Sequence, residues 1–119
     1  MKLIEEKSWA FAIRIIRLYE YLCEKKKFYK LAEQLLRSGT SIGANVAEAY
    51  HAQSAKDFLS KFNIALKEAN ETAYWLDLFY ETGYLTEKQY SSIKVDCSEL
   101  ARLLSSSVKT KKKNISQEN

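Results

Sequence analysis

Two pairs of carboxylates have the spacing that a metal site on facing helices requires. Glu68 and Glu71 lie three residues apart, as do Asp96 and Glu99. Facing helices that carry such pairs can hold Mg²⁺, which prefers several oxygen ligands and can promote nucleotide hydrolysis. However, Glu71 and Glu99 fall far from the apolar sides of their segments. We therefore interpret the pairs as solvent-facing, and a magnesium-dependent nucleotide hydrolase is the least favoured function.

The segment Glu48-Ala-Tyr-His51 has the Glu-x-x-His spacing of di-iron bundles. Such sites need two of these motifs, and this chain has one histidine. A single histidine also leaves no nucleophile–base pair to propose. Cys23 and Cys97 fit no zinc spacing and are predicted to be small apolar residues of helix seams. We therefore predict a non-enzymatic protein with no metal, no cofactor and no catalytic residue.

The stretch "RSGTSIGANVAEA", residues 37–49, could be a phosphate-binding loop or a helix. No Gly-Lys-Ser/Thr follows its glycines, which disfavours the loop. Six apolar or small residues continue a helical spacing through it, namely Leu31, Leu35, Ser38, Ile42, Val46 and Ala49. Gly39, Gly43 and Ala47 form a neighbouring strip at intervals of four. Each glycine costs a helix about 1 kcal/mol relative to alanine, so we predict that another helix packs closely along this strip.

The composition predicts a single all-α domain. The chain has 119 residues, three glycines and no proline, so it has few residues that could end helices or form turns. Residues 1–108 are predicted to form an up-down-up-down antiparallel four-helix bundle, with helices at about 8–24, 28–50, 55–82 and 87–108. Caps are expected at Ser54 with Asp57 and at Thr86 with Gln89, and Gly83 suits a helix end. The third helix carries a heptad seam, Phe58, Phe62, Ala65, Ala69, Thr72, Leu76 and Phe79.

The first helix carries two adjacent apolar stripes, although a small monomeric bundle needs only one. One stripe contains Trp9, Ala12, Ile16, Tyr19 and Cys23, and the other contains Phe11, Ile15, Leu18 and Leu22. The additional apolar stripe predicts contact with another copy of the chain. We assign this oligomer interface to the second stripe and to three residues of the third helix, Tyr74, Trp75 and Leu78. Base stacking by these aromatics is disfavoured, because no lysine or arginine lies between Lys67 and Lys88.

The positive charge is concentrated in two short segments. The net charge is +4, and residues 109–119 are predicted to be a basic, disordered tail. The candidate nucleic-acid-binding residues are Lys25, Lys26, Lys27, Lys30, Lys109, Lys111, Lys112 and Lys113. The alternative is that these lysines serve solubility only. RNA, DNA or another protein are therefore the candidate partners.

Charged residues also bear on location and on ion pairs. Arg14, Arg17 and Glu20 interrupt the first apolar run, so we expect no signal peptide, no membrane span and a cytoplasmic protein.

Arg37 and Glu48 share a helix face, and each is a candidate for an ion pair with another helix or subunit. Lys67 is the candidate partner for Glu48.

Three segments, "FAIRIIRLYEYL", "LLRSGTSIGANVAEA" and "FLSKFNIALKEANETAYWLDL", resemble a bacterial family of small four-helix-bundle proteins. Its first members are encoded in intervening sequences of large ribosomal RNA genes, which explains an older ribosomal-protein label. The resemblance covers about residues 8–105. It is most specific from Arg37 to Glu48, followed by Ala65-Leu66 and Glu68. Many members have glycine after the glutamate that corresponds to Glu48, whereas this chain has Ala49.

The resemblance implies a bundle that assembles into a homopentameric ring, with no established enzymatic activity. The chain is also similar to accessory proteins of diversity-generating retroelements, which use a basic surface to contact nucleic acid and a reverse transcriptase. Nucleic-acid binding by a ring-forming homo-oligomer is therefore the leading hypothesis. A protein-interaction scaffold without nucleic-acid binding is the alternative.

Overall fold

The computed structural model describes residues 2–118, and the side chains of residues 3–117. The chain forms four helices, α1 (Lys2–Glu24), α2 (Tyr29–Ala49), α3 (Ala55–Glu81) and α4 (Glu87–Glu118), with no strand in this range. Each helix packs against the next, and α1 also meets α4, whereas α2 and α4 lie diagonally opposite and do not pack together. The predicted all-α four-helix bundle is confirmed. Its principal extents are 53 × 22 × 21 Å.

Two helix ends differ from the prediction. The first helix begins at Lys2 rather than near residue 8, because Ile4 is buried and extends the core contact of α1 by a turn. The last helix continues past 108, so residues 109–118 are helical in the structure rather than a disordered tail. The buried seam of this helix, Ile93, Cys97, Leu100 and Leu104, continues through buried Val108 and half-buried Ile115, which gives the extension an apolar side. Asn119, the last residue of the predicted tail, lies outside the described residues.

The ends of α3 and α4 follow the predicted capping chemistry. The Ser54 side chain accepts a hydrogen bond from the backbone N–H of Asp57 at 3.0 Å. At the start of α4, Thr86 Oγ1 accepts from the N–H of Gln89, and Gln89 Oε1 accepts from the N–H of Thr86. Gly83 has φ of +84°, the left-handed conformation that lets the chain leave α3 without side-chain strain. These local bonds position the α3–α4 turn.

The core is built from one side of every helix. Six residues of the α3 seam are buried, and Phe58 is half-buried at its start. From α1, the residues that enter the core are Ile4, Phe11, Ile15 and Leu22. The prediction that Phe11, Ile15 and Leu22 form an oligomer interface is therefore wrong, because each is at most 1% exposed within a single chain. Leu18 is half-buried against the same core.

Candidate nucleic-acid interface

Residues 37–49 lie within α2 and bring α1 close to it. A Cβ added at Gly39 would stand 2.7 Å from Cγ1 and 2.8 Å from Cγ2 of Ile15. One added at Gly43 would stand 3.3 Å from the backbone oxygen of Ser8. The small side chains therefore admit a neighbouring helix, as the spacing predicts. Ala47, at the end of the strip, is exposed beside α1.

The first carboxylate pair is held by an arginine of the neighbouring helix. Arg37 of α2 forms ion pairs with Glu68, at 3.4 Å, and with Glu71. Glu71 also accepts a hydrogen bond from Trp75 Nε1 at 3.1 Å. The bond from Trp75, followed by the one from Arg37, lowers the pKa of Glu71 because both favour its charged form. The expected ion pair of Arg37 with another helix is thus present within one chain.

The second carboxylate pair bridges α4 to α1. Asp96 pairs with Arg14 at 2.7 Å, and Glu99 pairs with Lys7 at 3.0 Å. Within the described residues, no three His, Cys, Asp or Glu side chains come together as a metal-binding group. In the described structure, each carboxylate that the hydrolase hypothesis requires is engaged by a cation of a neighbouring helix.

The Glu48–His51 motif lies at the end of α2. Glu48 pairs with Lys61 at 3.1 Å, so the prediction that Lys67 is its partner is wrong. Because α2 and α3 run antiparallel, Glu48 at the end of α2 lies beside the first turns of α3. Lys61 is nearer to that end of α3 than Lys67 is. His51 is exposed in that turn.

The two predicted lysine segments lie at opposite ends of the bundle. Phe28, which follows the first segment, packs on Phe79 with ring centroids 5.7 Å apart. Lys111, in the second segment, lies over the ring of Phe58 at 4.6 Å. Phe58 and Phe79 are separated by most of the length of α3, about 30 Å at the helical rise of 1.5 Å per residue. The two segments therefore cannot form one continuous surface within a single chain.

The second segment belongs to a positively charged side of α4. Arg102, Lys109, Lys112 and Lys113 are exposed and point away from the buried seam of that helix. We call these four residues the basic face. No acidic residue occurs between Leu100 and Gln117, so this stretch of α4 contains no carboxylate. Lys111 is excluded from the face because it packs over Phe58. Sequence reasoning missed Arg102, although its spacing of seven residues from Lys109 placed both on one side of a helix.

Two of the exposed apolar residues of α1, Trp9 and Ile16, belong to the stripe that was not assigned to the oligomer interface, and Ile13 belongs to neither stripe. Trp9, Ile13 and Ile16 are exposed on the side opposite the core, at the spacing i, i+4, i+7. We call these three residues the α1 apolar face. On α3, Tyr74 is exposed, whereas Trp75 and Leu78 are half-buried. The two stripes of α1 were both visible in the sequence, but hydrophobicity alone did not distinguish the inner from the outer one.

A groove runs between α1 and α2 beside the α1 apolar face. Its volume is about 520 Å³, and it is lined mainly by apolar groups. Trp9 and Ala12 form the α1 side, and Gly43 and Ala47 lie on the α2 side. Across the described residues, no helix is both long enough and apolar enough to span a membrane.

The fold and these surfaces define a small all-α bundle whose last helix is basic on its outer side. The chain belongs to the 23S rRNA-intervening sequence protein family, whose model matches residues 3–106. It is 53% identical to a crystallised protein of unknown function from the S23 ribosomal protein family of Bacteroides thetaiotaomicron VPI-5482. That match has a TM-score of 0.88 and covers 89% of this chain and 98% of the other. No curated protein matches the chain.

Proposed function

We propose that this protein is a non-enzymatic, homo-oligomeric helical bundle that binds nucleic acid through the basic face of α4. The observation that carries the proposal is the run of exposed cations on one side of that helix. Phosphate contacts by lysine and arginine need no base-specific geometry. We therefore expect binding to RNA and DNA with little preference for sequence.

The acidic residues that most closely precede the basic face on α4 are already paired with cations of α1. Asp96 pairs with Arg14, and Glu99 pairs with Lys7. The positive potential along residues 102–113 can therefore attract a polyanion. The lysines at 25–27 and at 30 lie at the other end of the bundle and form a separate, shorter patch.

Assembly into a ring would strengthen a weak interaction. Each copy contributes a net charge of only +4, but several basic faces in one assembly would bind one nucleic acid at high local concentration. The α1 apolar face supports self-association, since exposed apolar patches commonly mark contact surfaces. The number that family resemblance implies is five copies.

The test compares two variants that each remove three positive charges. Lys109, Lys112 and Lys113 are replaced by glutamine in one, and Lys25, Lys26 and Lys27 in the other. Binding to 24-base-pair RNA and DNA duplexes of one sequence is followed by fluorescence anisotropy over a range of salt concentrations. We expect the α4 variant to bind more weakly and to lose about two to three units of the slope of log K against log salt.

The matched variant at the other end should keep most of the affinity and slope. Equal losses in both variants would contradict assignment to the basic face, because total charge rather than position would then govern binding. Binding that does not respond to salt would contradict the phosphate-contact mechanism altogether. Light scattering on each variant measures whether assembly is retained, so that a loss of binding is distinguished from a loss of assembly.

A protein-interaction scaffold is the second candidate, and the α1 apolar face is the observation that favours it. A scaffold would use its assembled surface to hold another protein, and its lysines would serve solubility. Failure to bind either duplex at low salt, together with a multi-copy mass, would favour this function.

Nucleotide hydrolysis is disfavoured because Glu68, Glu71, Asp96 and Glu99 each pair with a cation of another helix.

A further inference from the structure

The α1–α2 groove has an acidic rim at the end of the bundle where α1 begins. Glu5 and Glu6 border the groove and are exposed. No other described side chain forms an ion pair with either of them. Two adjacent carboxylates without a cation between them favour a positively charged group close by. Trp9, which is 71% exposed, stands one turn further along the same wall.

These walls have the chemistry that recognises a lysine side chain. A lysine can lay its aliphatic stem along apolar surface while its ammonium group stays at the polar edge. An indole ring attracts an ammonium placed over its face, and a carboxylate pairs with it. The groove therefore fits a lysine-rich segment better than a purely apolar one.

The chain itself contains such a segment. Residues 109–117 hold four lysines and no acidic residue. In the structure this segment does not line the groove, whose walls come from α1 and α2, and its Lys111 packs over Phe58 of α3. The segment that enters the groove must therefore come from a second copy.

We propose that the α1–α2 groove of one copy binds the lysine-rich end of α4, residues 109–117, from a neighbouring copy. The inference rests on the self-association in the proposed function and names the contact that extends it. Groove and segment are different surfaces, so the contact is head-to-tail and can repeat around a ring. The segment lies outside residues 3–106, the part of the chain that the family model matches. This contact is therefore additional to any contact that the matched bundle makes between copies. Nucleic acid and the groove then compete for the same lysines.

Disulfide trapping between full-length chains tests this contact. Both chains carry Cys23→Ala, and the remaining Cys97 is buried with a pKa of about 12. One chain carries Ala47→Cys in the groove, and the other carries Ser116→Cys at the end of α4. The control partner carries Ser98→Cys, which is also exposed on α4 but lies far from the segment. We expect mixed disulfides to form at least about tenfold faster with Ser116→Cys than with Ser98→Cys, because docking raises the effective concentration.

Charge reversal gives an independent readout. Glu5→Lys with Glu6→Lys in the groove chain should slow trapping, and Lys112→Glu with Lys113→Glu in the other chain should restore it. Equal trapping rates for the two cysteine positions, or no response to charge reversal, would overturn the proposal. A multi-copy mass by light scattering with no trapping would reject this contact alone, whereas a monomer would reject the assembly as well. Duplex binding is measured separately, and failure to bind either duplex would reject the proposed function without rejecting this contact.

Discussion

Cys97 shows how a residue of reactive type becomes part of the core. Its thiol is buried and donates a hydrogen bond to the carbonyl of Ala69 at 3.4 Å. Burial raises its pKa from 9.0 to about 12, because an apolar environment disfavours the thiolate. The sulfur therefore packs as a small apolar group at the α3–α4 contact.

This shifted pKa predicts a specific loss of stability at high pH. Between pH 9 and pH 12 the unfolded thiol ionises while the folded one keeps its proton, so the unfolded state binds fewer protons. The contribution of Cys97 is therefore complete below pH 9 and falls as the pH rises, by about 1 kcal/mol per pH unit. We expect the difference in unfolding free energy between the native chain and Cys97→Ala to change accordingly from pH 8 to pH 10.5.

Urea denaturation at several pH values measures this difference. Subtracting the Cys97→Ala curve removes the titration of other groups, which both proteins share. Cys23→Ala serves as the matched control. Its unfolding free energy should fall with pH as that of the native chain does, because Cys97 is retained. Parallel stability curves for the native chain and Cys97→Ala would contradict the prediction.

At the scale of elements, the α1–α2 contact depends on the absence of a side chain at Gly39. The Ile15 side chain occupies the space that a Cβ there would need, and Ile15 is fully buried. Glycine weakens α2 locally, and the packing of Ile15 and Phe11 into the core offsets that loss.

We expect Gly39→Ala to destabilise the fold by about 1–2 kcal/mol, because overpacking exceeds the gain in helix propensity. The measurement is a double-mutant cycle with Ile15→Ala, which removes the two nearest carbon atoms. In the Ile15→Ala background, Gly39→Ala should cost nothing or stabilise. The same cost in both backgrounds would show that Ile15 is not the obstacle.

At the scale of the whole molecule, charge and apolar surface are separated. The basic face lies on α4 and the apolar face lies on α1, while ion pairs such as Lys7–Glu99 join these two helices. The α1 apolar face can therefore be changed by substitution without removing a charge from the basic face. This division allows assembly and polyanion binding to be tested by different substitutions.

We predict that Trp9→Glu combined with Ile13→Glu makes the protein monomeric. Each large apolar side chain buried at an interface contributes about 1.5–3 kcal/mol, and a buried carboxylate adds a desolvation cost. Val95→Glu is the matched control, since Val95 is 66% exposed on α4 and lies outside the α1 apolar face. Light scattering on size exclusion should give one-copy mass for the double variant and multi-copy mass for the control. An unchanged mass for the double variant would exclude the α1 apolar face as the contact.

The helical period was sufficient to predict much of this molecule. It identified four helices, the buried seams of α2 and α3, and the caps at Ser54 and Thr86, because these depend on residues within one turn or a few turns of each other. It also showed that residues 37–49 form helix, since a loop has no reason to maintain that register. The lysines of the basic face were likewise recognisable as a charge cluster.

Tertiary contacts decided the rest. The two stripes of α1 are similar in hydrophobicity, and in the structure Ile15 packs into the space beside Gly39 while Trp9 is exposed. The last helix extends beyond 108 alongside Phe58, a residue some fifty positions earlier in the chain. The antiparallel course of the helices sends the two lysine segments to opposite ends. Each of these outcomes depends on contacts between residues that are distant in sequence, so the local spacing of residue types does not predict them.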